Sequence, residues 1–277
     1  MVDITKCIEY YLNNNYDDIY ARSKVAQDIL LSIIAESKYN RNVTLKGGIV
    51  LFNITKDKRR ATEDIDIDLI RYSLEDSSII KMFCTLSENK SGIIFNVIGK
   101  PQELRQQDYQ GKRVFLTIKD SFENIIQIKL DIGVQSNLAI EQEDFIFEFE
   151  VLNKKLNLLI NTREQIFVEK LTSLLKHGIA TTRFKDIFDF YYFIEDTKLD
   201  KDRIVEFINI YIFQNSKIKI ANMEELYLEL KEIFENKGFI RRISNTKYNW
   251  IDVNPIFAFE TILKFISSLQ KIGTQYE

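Results

Sequence analysis

"KGGIVLFNITKDKRRATEDIDID", Lys46 to Asp68, ends in three aspartates spaced two residues apart and separated by isoleucines. Alternate side chains of a strand point to opposite faces. Asp64, Asp66 and Asp68 therefore share one side, and Ile65, Ile67 and Leu69 line the other. Mutual repulsion along such a row works against folding. Either a bound cation offsets it, or the row is a solvated strand face with nothing bound. A calcium-binding loop with ligands at Asp64, Asp66, Asp68 and Glu75 is excluded, because Leu69 stands where that loop requires glycine.

What precedes the row favours the cation. Gly47-Gly48 follows a short strand pattern, "NVTLKGG", and opens "IVLFNIT", a segment that suits a buried helix. Backbone N–H groups and the dipole at a helix start can hold an anion, and Lys46 adds a charge there. A glycine pair alone marks a turn. Followed 16 positions later by an Asp-x-Asp strand, it brings phosphate donors and metal ligands into one site. Carboxylates two residues apart on a strand sit about 6–7 Å apart at their Cα atoms. A divalent ion can draw them together, and Mg²⁺ takes hard oxygen ligands in such settings. A two-ion site suits phosphoryl or nucleotidyl transfer.

The chain has 277 residues, 45 % hydrophobic and 12 % aromatic, enough for one large domain or two medium ones. Only 9 Gly and 2 Pro leave little room for long linkers. A net charge of −3 excludes a globally basic nucleic-acid binder, though not a local patch. Cys7 and Cys84 lie in unrelated contexts without CxxC, so neither a disulfide framework nor a zinc site is expected. Both read as small apolar fillers. The start of the chain has no apolar signal core, and no run of about 18 apolar residues occurs. The expectation is a soluble, cytoplasmic protein with no membrane partner. His177 is the only histidine and GxSxG is absent, which argues against a histidine-based hydrolase.

Helical spacing over residues 22–39 puts Val25, Ile29, Leu30, Ile33 and Ile34 on one stripe. After the aspartate strand, "SLEDSSIIKMFCTLSEN" reads as a helix with Ser73 as N-cap. From about residue 92 to 151, "GIIFNVIG", "KRVFLTIKD", "NIIQIKLDIGV" and "DFIFEFEV" are four strand candidates. Beyond residue 153 the spacing predicts helices and no strand. The fold class is therefore α+β: a mixed sheet flanked by helices in residues 1–152 and an all-α domain in 153–277.

"LKGG" followed by "RRATEDIDID" resembles the signature of the DNA-polymerase-β-like nucleotidyltransferase superfamily. More narrowly, it resembles the AbiEii/AbiGii toxin family of bacterial type IV toxin–antitoxin and abortive-infection systems. Arg60, Thr62, Asp64, Ile65 and Asp66 fill that family's R-x-[ST]-x-D-I-D segment, and Asp68 is an extra acid. Ile49 departs from the Ser or Thr that commonly follows the glycines. The resemblance implies a nucleotidyltransferase fold, an NTP substrate and a catalytic metal set of Asp64, Asp66 and Asp131. Asp131 lies in "NIIQIKLDIGV", the position of the third acid; without the resemblance it would read as a surface residue.

Residues 153–186 carry seven basic residues against three acids, ordinarily a solvated helix face. "EKLTSLLKHG" and "RFKDIFDFYYF" resemble the family's EKLxALxxR and RDhhDhhhh segments. The resemblance implies nucleotide binding by Lys46, Gly47, Gly48, Lys170, Arg183, Lys185 and Asp186, with Asp186 orienting Lys170 or a basic neighbour. Asp189 is expected to brace the helix, and His177 stands where the family has Arg. The stripe of Phe184, Phe188, Tyr191 and Tyr192 reads as helix core, and "KGFIRR" at 237–242 as a chance surface cluster. By analogy the acceptor is RNA, a tRNA 3′ end, and a cognate antitoxin is a partner. Two other readings stay open: transfer to a small molecule or protein hydroxyl, and an inactive fold that only binds a partner.

Overall fold

α1 (Ile4–Asn13) and α2 (Asp18–Ala35) start on aspartate caps, Asp3 and Asp17, each of which accepts from a backbone N–H in the first turn. The coordinates are a computed structural model and describe residues 1–104, 111–135, 137–244 and 246–273. The chain divides into two compact units, Met1–Asn161 and Thr162–Glu277.

In the first unit α2 is followed by β1 (Val43–Lys46), α3 (Gly47–Thr55), β2 (Ile65–Leu69) and α4 (Asp76–Leu86). Then come β3 (Ile94–Glu103), β4 (Lys112–Lys119), β5 (Ile125–Val134), β6 (Glu143–Phe149) and β7 (Lys154–Ile160). The strands form one mixed sheet in the order β3-β4-β5-β2-β1-β7-β6. β2 runs antiparallel to β1 and parallel to β5, which puts it at the centre. Leu45, Ile65, Ile67, Leu116, Leu130 and Ile132 are fully buried on one face, each contributing about 1.5–3 kcal/mol by leaving water. α2 packs against β5 and β7, and α4 against β3. The stripe expected on α2 is buried in full, together with Asp28, which accepts from Tyr11 Oη and Lys24 Nζ.

The second unit is helical: α5 (Arg163–His177), α6 (Lys185–Asp196), α7 (Lys201–Ile208), α8 (Met223–Glu235), α9 (Lys237–Ile243) and α10 (Pro255–Gly273). α10 packs on α6, α7 and α8. Phe167 meets Phe190, Phe193 and Phe265 edge-on, while Phe234, Phe239 and Phe259 stack. Among the described residues no helix is long and apolar enough to cross a membrane.

The architecture is α+β with a mixed seven-stranded sheet, as the alternation and helical spacing led us to expect. Several local expectations need correction. Lys154–Ile160 is a strand, so the sheet continues past residue 153, paired with β1 on one side and β6 on the other. Ser73 does not cap α4; Glu75 precedes the helix, and Ser73 Oγ instead accepts from the Glu75 N–H. Cys7 is buried as expected, but Cys84 is exposed and fills no core. Phe239 in "KGFIRR" is fully buried. Arg242 beside it donates to the Ile179 carbonyl and lies over the Phe184 ring.

Candidate active site

Strand register does what the sequence pattern alone cannot. Asp66 on β2 is paired with Asp131 on β5, Arg113 on β4 with Asp131, and Lys46 on β1 with Asp66. Directly paired residues point to the same face, and neighbouring strands are about 4.8 Å apart. Arg113, Asp131, Asp66 and Lys46 therefore form one ladder across four strands, with the two carboxylates side by side between two cations. Leu45, Ile65, Ile67, Val114, Leu130 and Ile132, which lie next to them in sequence, turn to the opposite, buried face.

The ion pairs follow this geometry. Arg113 grips Asp131 with both arms, Nε to Oδ1 and Nη2 to Oδ2, each 2.8 Å. These hydrogen bonds raise the Arg113 pKa against partial desolvation, and the charges of Asp131, Asp64 and Asp66 add to the effect. Lys129 Nζ lies 2.5 Å from Asp64 Oδ1. Asp64 itself is exposed and sits one residue before β2 begins. Asp68, expected on the open face with the other two, is buried instead. It accepts from Lys46 Nζ at 2.7 Å, and both side chains are at least nine-tenths covered.

Gly47 and Gly48 hold α3 against this row. Gly47 takes φ +67°, and a methyl group added there would lie 2.6 Å from Asp66 Oδ2. One added at Gly48 would lie 3.0 Å from Thr62 Cβ, and Gln27 Nε2 fixes the Thr62 carbonyl at 2.8 Å. The first turn of α3 is thus set beside the Asp66 carboxylate, and the Lys46 side chain does not cap it. Ile49 is buried, its side chain in the core. Gly47→Ala is expected to lower stability by about 1–2 kcal/mol from the left-handed backbone alone, read as an earlier urea midpoint.

A divalent cation would need oxygen ligands brought together. Among the described residues no three His, Cys, Asp or Glu side chains are gathered to hold a metal ion. Instead, Arg113 engages both oxygens of Asp131, and Lys129 pairs with Asp64. Asp66 and Asp131 nevertheless fit a hard cation, as hard oxygen donors at paired positions on one partly exposed face. The resemblance had brought in Asp64, Asp66 and Asp131 without their countercharges. Arg113 went unnoticed, although the alternation in "KRVFLTIKD" puts it on the polar side of β4.

In the second unit Lys170 on α5 is 4 % exposed and enclosed by carboxylates. It pairs with Asp186 Oδ1 and lies 3.0 Å from Asp189 Oδ2. Asp186 also accepts from Arg183 Nε at 2.9 Å, and Asp189 from Trp250 Nε1 at 3.0 Å. Lys170 and Asp186 are thus brought together, and Asp189 joins them as a fully buried brace. The Arg183 side chain is 56 % exposed. Lys185 opens α6. Phe184 and Phe188 are core; Tyr191 and Tyr192 are only half-buried.

An acid pair thus stands on a central strand pair, beside a glycine-opened helix. The sequence model of a family described as nucleotidyl transferase AbiEii toxin, type IV TA system, matches residues 28–248. The chain belongs to this family of toxin nucleotidyltransferases and is a transferase. Among solved structures, it is similar to an antigenic nucleotidyltransferase-like protein from Paracoccidioides brasiliensis. The two share 13 % identity over 80 % of this chain and 91 % of that one, with a TM-score of 0.42. Comparison with curated proteins finds no match.

Proposed function

We propose that this transferase moves a nucleoside monophosphate from an NTP to an RNA hydroxyl, the 3′ end of a tRNA, in a Mg²⁺-dependent reaction in the cytoplasm. A cognate antitoxin would restrain it. The observation that carries this reading is the pairing of Asp66 with Asp131 at the centre of the sheet, with the backbone of Gly47 against Asp66.

Asp66 and Asp131 would hold the ion, with Asp64 as the further acid of the row. Bound there, Mg²⁺ would neutralise phosphate charge and lower the pKa of the acceptor hydroxyl. The uncapped N–H groups of α3's first turn, at Gly47 and Gly48, receive phosphate oxygens. Lys46 keeps Asp68 neutralised beneath them. In the second unit, Arg183 and Lys185 contact RNA phosphates. Asp186, shared between Lys170 and Arg183, positions the Arg183 guanidinium for that contact. The acceptor oxygen forms a bond to the α-phosphorus, the bond from that phosphorus to the β-phosphate bridge breaks, and pyrophosphate leaves.

The test uses α-labelled NTPs, Mg²⁺ and total tRNA. Label is expected on tRNA and at its 3′ end. With the two cationic phosphate contacts of Arg183 and Lys185, kcat/KM should fall roughly tenfold between about 50 and 200 mM salt. Labelling of a small molecule or of protein, or transfer insensitive to salt, would overturn the tRNA acceptor.

A further inference from the structure

The acid row carries its own countercharge, and the countercharge is built into the strands. Arg113 is fixed opposite Asp131 by strand register and meets it through two hydrogen bonds of 2.8 Å. Its side chain is 35 % exposed, that of Asp131 14 %. Lys129, on the same strand as Asp131, faces Asp64 in a parallel way. A carboxylate whose two oxygens are both engaged by a guanidinium has lost its best lone-pair directions for a further ligand.

We infer that Arg113 is a positioning residue of the transfer site: a resident cation that holds Asp131 in the metal-free protein and yields it when a divalent ion enters. The inference rests on the reading of Asp66 and Asp131 as the seat of that ion. Three features carry it. The clamp is bidentate, so it sets the plane of the Asp131 carboxylate as well as its charge. The same guanidinium is close enough to feel Asp64 and Asp66, so its charge acts on Asp131's neighbours as well. Finally, Arg113 is partly exposed, which leaves the side chain a way out once Asp131 is taken. Without such a cation, three carboxylates on adjacent positions would repel one another whenever metal was scarce. With it, the row keeps its geometry, and metal binding becomes an exchange of one cation for another.

The exchange has a measurable consequence. When only part of the molecules present the open carboxylate, apparent affinity falls by that fraction. A charge-assisted bidentate pair is strong enough to cost about a factor of ten. The experiment is a Mn²⁺ titration of the full chain followed by electron paramagnetic resonance, in the absence of NTP. Arg113→Gln is expected to bind Mn²⁺ about tenfold more tightly than the parent. Arg113→Lys, which keeps the charge but loses the paired geometry, should tighten binding by a smaller factor; it keeps the test decisive if the glutamine variant folds poorly. Lys112→Gln is the control for bulk charge, because Lys112 pairs with Asp76 and Glu103 and not with the acid row. Its affinity should equal the parent's.

Equal or weaker binding in both Arg113 variants would overturn the exchange while leaving the metal seat intact. Equal tightening in Lys112→Gln would also overturn it, since the effect would be one of net charge. Absence of Mn²⁺ binding in the parent and in Arg113→Gln would remove the metal seat and the exchange together. Tightening confined to the Arg113 variants supports both.

Discussion

Replacing Lys170 by Met is expected to cost about 3–5 kcal/mol of stability. The ammonium is 4 % exposed and faces Asp189, which is completely buried, as well as Asp186. Removing it would strand two buried carboxylates without their ammonium, beside Trp250, which donates to Asp189 Oδ1, and Arg183, which donates to Asp186. Breaking one side of a buried pair is costly because the other charge is stranded. Replacing both sides is far milder. The double variant Lys170→Met/Asp189→Asn should therefore recover a large part of the loss, and the difference between single and double variants measures the coupling. Urea unfolding read by circular dichroism supplies both numbers. A single variant within about 1 kcal/mol of the parent would show that the charges are solvated rather than locked.

The second large effect concerns chemistry. Asp66→Asn preserves shape and removes the charge at the centre of the ladder. Transition-state neutralisation worth several kcal/mol corresponds to a loss of about a thousandfold in transfer rate. The side chain keeps its shape, so circular dichroism should still report a folded protein while the transfer rate falls. Asp68→Asn should behave in the opposite way. Asp68 is buried against Lys46, so removing its charge is expected to lower stability by weakening that buried pair. A thousandfold loss with Asp68→Asn at unchanged stability would reassign the centre of the row.

These two aspartates show what the sequence could and could not tell. Period two placed Asp64, Asp66 and Asp68 on one side of a strand. It did not say what lies over that side. Asp68 is covered and Asp64 is open because β1 runs alongside β2 and brings Lys46 diagonally to Asp68, a matter of register. The pairing of Asp66 with Asp131 is likewise set by register across strands far apart in the chain. The glycine pair suggested anion binding at a helix start, but not that Gly47 is needed for Asp66 to approach the backbone. Arg113 could be read only as one of several polar residues on an alternating strand.

β7 was missed for a local reason. In "KKLNLLI" the alternation is interrupted by the run Leu158-Leu159-Ile160, and only Leu158 and Ile160 are buried. Its strand character comes from β1 and β6 on either side, which no local pattern reveals. The longer helices of the second unit were legible because their apolar spacing is regular and several begin on a recognisable cap such as Thr162, Asp200 or Asn222, whereas the short α9 was read as a surface cluster.

Diffraction from crystals grown with Mn²⁺ and a non-hydrolysable NTP, collected at the manganese absorption edge, bears most directly on where the reaction happens. The expected map has an anomalous peak within coordination distance of carboxylate oxygens from both residue 66 and residue 131, with the nucleotide phosphates reaching the start of α3. A nucleotide bound with manganese on other side chains, or with Arg113 still gripping Asp131 on both oxygens, would contradict the account.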